Sequence, residues 1–313
     1  METDSPRVHS DGSGAMAITP TGAGGGAAAA AVPGAAVVDL DALDGPFAAD
    51  DQDIQKVSEY AEDIFEDLLR LESAGAPSPH YLEWQRDINK KMRGILLDWL
   101  VEVHMRYRFR SETLYLAQNI VDRYLSVRQV SRRSLQLVGT TAMMIAAKFE
   151  EIDVPKASEF AYITDDSYLK DEILRMECTI LTALDFEVVV PTAAHFLNRL
   201  LRANGSDQKQ KTATRYMLEL FMMDVKFLKY SASHVVSAAI LVSNEMAQRE
   251  TVWPAAMARH THYQEGDLRA CAEELQQHLV TARTSSLTAV KQKYQSEALR
   301  RAADGNFPPR QAL

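Results

Sequence analysis

Between Ser131 and Glu150 the chain reads SRRSLQLVGTTAMMIAAKFE, and its middle, Leu135 to Ala147, is apolar or small on every side of a helix drawn through it. A helix without a polar face has to be buried. The run is too short for a bilayer, which needs about 20 apolar residues, so it predicts the central helix of an all-helical globular unit. Gly139, Ala142, Ala146 and Ala147 are small, and a glycine inside a helix costs about 1 kcal/mol against alanine, so Gly139 predicts another helix packing closely there. Ser131 is the expected N-cap. At the far end burial stops abruptly, and Lys148, Phe149, Glu150 and Glu151 emerge together as the first candidate site.

Other helices are predicted around this one. Tyr60, Ile64, Leu68 and Leu71 recur at helical spacing in an amphipathic segment that GAPSP, from Gly75 to Pro79, terminates. Helical patterns resume near Asp87 and run from Met92 to Arg108 and from Ser111 to Val127, the second with Glu112 in its first turn. After the central helix, Lys156 to Tyr162 and Asp166 to Leu184 complete a five-helix unit. Pro191 before Thr192 signals a boundary with a new N-cap, and VVV at 188–190 is simplest as an extended linker. Beyond it AAHFLNRLLRA, QKTATRYMLELFMMDVKFLKY and SASHVVSAAILVSNEMA take the places of the first three helices about 100 residues earlier, an internal structural repeat. VWPAAMARH, GDLRACAEELQQHL and TAVKQKYQ close the second unit, and DGNFPPRQAL is expected to fray. The expected division is 1–53 tail, 54–86 N-terminal helix and linker, 87–189 and 190–295 as two helical units, and 296–313 as a C-terminal tail.

Composition changes the picture at the N-terminus. Residues 1–53 hold eight of the 14 glycines and almost no aromatics, a stretch expected to stay disordered because it cannot bury enough surface to offset its ordering entropy. They also hold nine acids against one base, Arg7, so of the net charge of -9 only -1 remains for everything after them. A nearly neutral globular part argues against a nucleic-acid footprint. Cys178 and Cys271 fit helical patterns as small apolar residues and are too few for a disulfide framework, which points to a reducing compartment. With no secretory signal and no apolar run of membrane length, an intracellular protein without membrane attachment is expected. TGAGGGAAAA is read as low complexity rather than a dinucleotide loop, and Ser5-Pro6 and Thr19-Pro20 as chance dipeptides rather than phosphorylation sites.

No catalytic motif is present: no phosphate loop, no His-Glu-x-x-His, no Gly-x-Ser-x-Gly, no kinase elements. The histidines are scattered, and the close pair His260 and His262 lacks acidic or cysteine companions, so neither metal nor cofactor is expected. The unusual residues lie on helix faces. From Met92 to Arg108, Met92, Ile95, Trp99 and Glu102 form one stripe, while Leu96, Leu100 and Val103 form the adjoining one. Periodicity alone favours one wide core face over one buried and one surface stripe.

MRGILLDWLVEV resembles the MRAIL motif of cyclins, and LVGTTAMMIAAKFEE and YITDDSYLKDEILRMECTILTALDFEVVVPT resemble the matching stretches of A- and B-type (mitotic or S-phase) cyclin boxes. The resemblance runs without obvious gaps from about Val57 to Leu200 and more weakly to about Tyr294. It implies an all-α fold of two tandem five-helix cyclin boxes preceded by an N-terminal helix. It also implies roles: Arg93 with Asp122 as the pair tying the first two helices together, and Leu137 as a core position of the central helix. Lys148 and Glu177 match the pair that anchors a kinase, with Ile64, Phe149, Leu181 and Phe186 as apolar contacts around it. Met92, Ile95, Trp99, Glu102, Arg132, Leu135 and Gln136 match the hydrophobic patch that docks Arg-x-Leu motifs, which overturns the single core face. Met92, Ile95, Trp99 and Leu135 are then expected to line an exposed groove, with Glu102 for an arginine and Gln136 for peptide backbone. Gly94 departs from the family's alanine, and the N-terminal tail has no Arg-x-x-Leu destruction box.

The function implied is that of a non-catalytic regulatory subunit in the nucleus and cytoplasm. It would bind and activate a Ser/Thr cyclin-dependent kinase and recruit Arg-x-Leu-containing substrates or inhibitors. The alternative is a double-cyclin-fold transcription-factor-like or pocket-type interaction module, whose usual companions, a zinc ribbon or a basic face, are missing from this sequence; a helical enzyme has no motif to support it.

Overall fold

A computed structural model describes residues 60–295. The readings for 1–53, the Ser-Pro and Thr-Pro dipeptides and the C-terminal tail lie outside those residues. Helices α1 (Ala61–Leu71) and α2 (Tyr81–Trp84) precede a first set, α3 (Lys90–Tyr107), α4 (Ser111–Val127), α5 (Leu135–Glu150), α6 (Ala157–Tyr162) and α7 (Lys170–Ala183). A second set follows: α8 (Ala193–Ala203), α9 (Gln208–Met222), α10 (Ala232–Met246), α11 (Ala255–Thr261) and α12 (Glu265–Ala282), then a short α13 (Ala289–Lys293). No strand occurs among the described residues, and 188–190 carry no regular secondary structure.

Each set is arranged around its third helix. In α5 every residue from Leu135 to Ala147 except Gln136 is buried, and α3, α4, α6 and α7 pack on it. A Cβ on Gly139 would stand 2.6 Å from Leu96 Cδ1, so the glycine marks the close approach of α3. In the second set α10 buries Val236 through Asn244 beneath α8, α9 and α12. Leu137 is core, as expected.

Helix boundaries follow local chemistry, with corrections. Asn89 caps α3, accepting from Met92 N–H at 3.1 Å, and Thr192 occupies the N-cap of α8. Ser131 is not the cap of the central helix: a 3-10 turn, Arg132–Ser134, comes first, and Ser131 spends its hydroxyl on Ser134 Oγ at 3.1 Å. The helix expected from Asp166 starts at Lys170, because Asp165 and Asp166 are left-handed, at φ 53° and 52°. Cys178 is exposed rather than packed, while Cys271 is buried.

The two sets are joined by buried polar bonds. Arg93 and Asp122 form a fully buried pair, with Arg93 Nε to Asp122 Oδ1 and Nη2 to Oδ2 both 2.7 Å. Arg93 Nη1 also donates to Met222 O and Met223 O of the second set, at 2.9 and 3.1 Å. Tyr81 Oη on α2 donates to Asp122 Oδ1 at 2.8 Å, and burial together with that carboxylate pushes the phenol's pKa far up. At the other end Lys293 Nζ and Tyr294 Oη reach the buried Glu219 Oε1 at 2.6 and 2.8 Å, fixing α13 to α9.

Replacing Asp122 with alanine leaves the Arg93 guanidinium buried without its counter-charge and is expected to cost about 3–5 kcal/mol of stability. Urea unfolding of the variant measures it; a loss under about 1 kcal/mol would show that the pair is dispensable.

Candidate functional site

The first edge lies where α5 leaves the core. Lys148 Nζ meets Glu177 Oε1 of α7 at 2.6 Å, with the lysine side chain 45% exposed and the glutamate 14%. Glu151, the next residue after α5, accepts from Arg110 N–H at 2.8 Å and from the Thr113 hydroxyl. The end of α5 is thereby tied to the start of α4, and Phe149 is left exposed beside Lys148. Glu150 is raised in pKa by partial burial and by the Glu112 charge. The Glu150–Glu151 pair therefore includes a carboxylate that caps the start of a neighbouring helix.

One turn beyond Glu177, Leu181 is partly buried and packs on the core. Its carbonyl accepts from Phe186 N–H at 2.8 Å, closing α7 through a loop in which Asp185 and Phe186 are both left-handed, at φ 52° and 59°. A glycine is the usual occupant of such a position. Here a phenylalanine 68% exposed occupies it, and Arg123 Nη1 holds the next carbonyl, Glu187 O, at 2.7 Å. Ile152, beyond the end of α5, is fully exposed. Ile64 is also exposed, on the separate helix α1, which Glu72 anchors to the second set by accepting from Ser233 N–H and Oγ at 2.9 and 2.8 Å.

The second edge is the outer face of α3. Leu96, Leu100 and Val103 are buried, whereas Met92, Ile95 and Trp99 are half-buried and Glu102 is exposed, so the two stripes separate into a core face and a surface face. Partial burial and the charge of Asp98 raise the Glu102 pKa. Arg132 is exposed and fixed by Asp87, which accepts from its N–H at 2.8 Å and its Nε at 2.7 Å. Gln136 is half-buried. Leu135 corrects the expectation of an exposed groove wall: it is 0% exposed, because as the first residue of α5 it packs into the core rather than facing solvent. The surface strip is therefore Met92, Ile95 and Trp99, without Leu135.

Beside Ile95 a cavity of about 480 Å³ opens between α3, the end of α9 and the 285–287 loop. Gly94 lies on its wall, where a Cβ would come 3.1 Å from Leu287 Cδ1. Asp98 borders it and accepts from Thr288 N–H at 3.2 Å and Ala289 N–H at 2.9 Å, capping α13 from 190 residues away. The sequence carries no local signal for that role.

Two family models match this architecture: "Cyclin, N-terminal domain" over residues 63–189 and "Cyclin, C-terminal domain" over 191–306. The chain belongs to the cyclin family. It is 38% identical to a G2/mitotic-specific cyclin-B of Marthasterias glacialis over 242 residues, covering 77% of this chain and 62% of that one. It is 40% identical to Cyclin-A1 of Homo sapiens over 245 residues, 78% of this cyclin and 52% of the relative, and 40% identical to Cyclin-A1-1 of Arabidopsis thaliana over 265 residues, 82% and 56%. These relatives are thus spanned for between half and two thirds of their length. Among solved structures, a viral cyclin from herpesvirus saimiri superposes with a TM-score of 0.60 at 18% identity, over 69% of this chain and 97% of that one, which shows the shared fold. With cyclin-A and cyclin-B relatives matched alike, the chain is an A/B-type cyclin. No described helix is long and apolar enough to cross a membrane.

Because Phe186 is exposed and left-handed, Phe186→Gly removes little packing and relieves backbone strain of about 1 kcal/mol. Its thermal midpoint is expected to stay level or rise; a marked fall would show that the ring stabilises the fold itself.

Proposed function

We propose that this cyclin is the non-catalytic regulatory subunit of a Ser/Thr cyclin-dependent kinase in cell division, acting in the nucleus and cytoplasm. The observation that carries the reading is the ordered Lys148–Glu177 pair at the surface with the large apolar side chains of Phe149 and Phe186 exposed beside the same helix ends. Exposed apolar surface around a fixed ion pair is the make-up of a partner interface: the rings supply buried area and the charges supply register. Ile64 and Leu181 extend the contact. A kinase seated here would have its mobile helix pressed inward, bringing that helix's glutamate to the catalytic lysine and ordering the activation loop. The cyclin contributes shape and charge, and the chemistry stays with the kinase.

The outer face of α3 is assigned to Arg-x-Leu segments of substrates or inhibitors. Met92, Ile95 and Trp99 offer the apolar strip, Glu102 a carboxylate for the arginine, and Gln136 an amide for peptide backbone, with Arg132 at the rim.

Changing Lys148 and Glu177 together to alanine is expected to weaken kinase binding by about 2–5 kcal/mol while the fold survives. Calorimetric titration with the kinase alongside a melting curve tests this. Unchanged affinity in a folded variant would reduce the pair to an internal ion pair.

Trp99→Ala is expected to cost about 2 kcal/mol or more in docking. Phosphorylation of an Arg-x-Leu-bearing protein would fall while that of a short peptide reaching only the kinase active site would not. If Trp99 instead served the core, both activities would drop together with a lowered melting temperature, since a buried Trp lost to alanine costs about 3–5 kcal/mol.

A further inference from the structure

One end of the α3 strip is acidic and the other is strongly basic. Residues 84–91, leading into α3, and residues 128–133, between α4 and α5, carry Arg86, Lys90, Lys91, Arg128, Arg132 and Arg133 against a single acid, Asp87. The fold puts these two segments side by side. Gln85 Nε2 donates to Arg128 O at 2.7 Å, Val130 N–H donates to Gln85 Oε1 at 3.1 Å, and Gln129 Nε2 donates to Trp84 O at 2.9 Å. Asp87 is taken up by Arg132, and its carboxyl is held below the usual range by Arg132's hydrogen bonds, with the Arg133 charge adding to the effect. All six bases are exposed, and none of the other five has a carboxylate partner among the described residues. Nearby acids are few: Asp98 caps α13, and Asp224 faces Lys226 and His278 at 3.6 and 3.7 Å.

Unpartnered bases held together at the end of an apolar strip repel one another, a cost that an acidic ligand would relieve. We propose that the segment docking on this strip is acidic on the C-terminal side of its Arg-x-Leu motif, with Asp or Glu about four to six positions after the arginine, received by Lys90, Lys91 and Arg128. This rests on the docking assignment above and names the class of peptide it selects. The spacing follows from geometry. From Glu102 to Lys91 is 11 residues of α3, about 16 Å at the helical rise, and an extended peptide covers that in about five residues. With the arginine at Glu102, the leucine two residues on lies about 7 Å along the strip, between Trp99 and Ile95, and the chain that follows reaches the basic end.

The test uses the full chain and two fluorescent peptides sharing one Arg-x-Leu motif, one followed by Glu-rich and one by Gln-rich sequence. At low salt the acidic peptide is expected to bind about tenfold more tightly, from a few exposed charge pairs, with the advantage fading as salt is raised. In Lys90→Gln/Lys91→Gln/Arg128→Gln the advantage disappears and the neutral peptide binds as before. Equal affinity of the two peptides for the unmodified chain, or an undiminished advantage in the triple variant, would overturn the proposal. So would a single-stranded oligonucleotide displacing the acidic peptide as well as the peptide displaces itself, which would make the patch a general polyanion surface. Failure of the folded chain to bind either peptide would overturn the docking assignment and this extension with it.

Discussion

The bond between Arg93 and Asp122 is the constraint on which the rest of this cyclin depends. A charged pair with no solvent access is costly unless its hydrogen-bonding capacity is filled, and here it is. Three guanidinium nitrogens reach Asp122 or the Met222 and Met223 carbonyls, and both aspartate oxygens accept, with Gln118 and Tyr81 as additional donors. That single arrangement joins α2, α3, α4 and the end of α9. It fixes the rotation of α3 about its axis, which in turn decides that Leu96 and Leu100 face α5 while Ile95 and Trp99 face outward. The strip proposed for docking is the outer side of a helix whose inner side is pinned by Arg93.

A second pattern runs through the molecule: carboxylates from one element cap the starts of others. Glu151 serves the beginning of α4, Glu72 the beginning of α10 and Asp98 the beginning of α13. Free N–H groups and the positive end of the helix dipole make such positions favourable for acids. Each cap also sets one helix against another. Asp98 and Glu219 together close the C-terminal helix across both units, and Glu72 ties the N-terminal helix to the second. Partial burial raises the pKa of Asp98 despite the two N–H groups it receives.

The edge proposed for kinase contact is built differently, from exposure and strain. Phe186 is held out in a conformation that glycine would occupy more easily, and its amide closes α7. A bulky side chain kept at positive φ with little packing contributes nothing evident to the core. Its exposure fits the contact role proposed for the ring, as does that of Phe149 and Ile152 at the end of α5.

The sequence by itself determined the helices, because periodicity and helix propensity are local. The burial of 137–147, the close approach at Gly139, the start of α8 after Pro191 and the repeat of the first unit in the second were all legible. Lys148 with Glu177 and Arg93 with Asp122 were legible only through resemblance to cyclins, since nothing in their spacing pairs residues 29 apart. Tertiary structure decided which side of α3 meets water, since two adjoining apolar stripes look alike until Arg93 fixes the rotation. It also moved Leu135 inside and the start of α5 four residues past Ser131, because a 3-10 turn held by Asp87 comes first. The caps from Glu72, Asp98 and Glu151 and the basic end of the strip depend on partners 38 to 191 residues away. A contact that long-range leaves no trace in local pattern, and only packing the chain brings its members together.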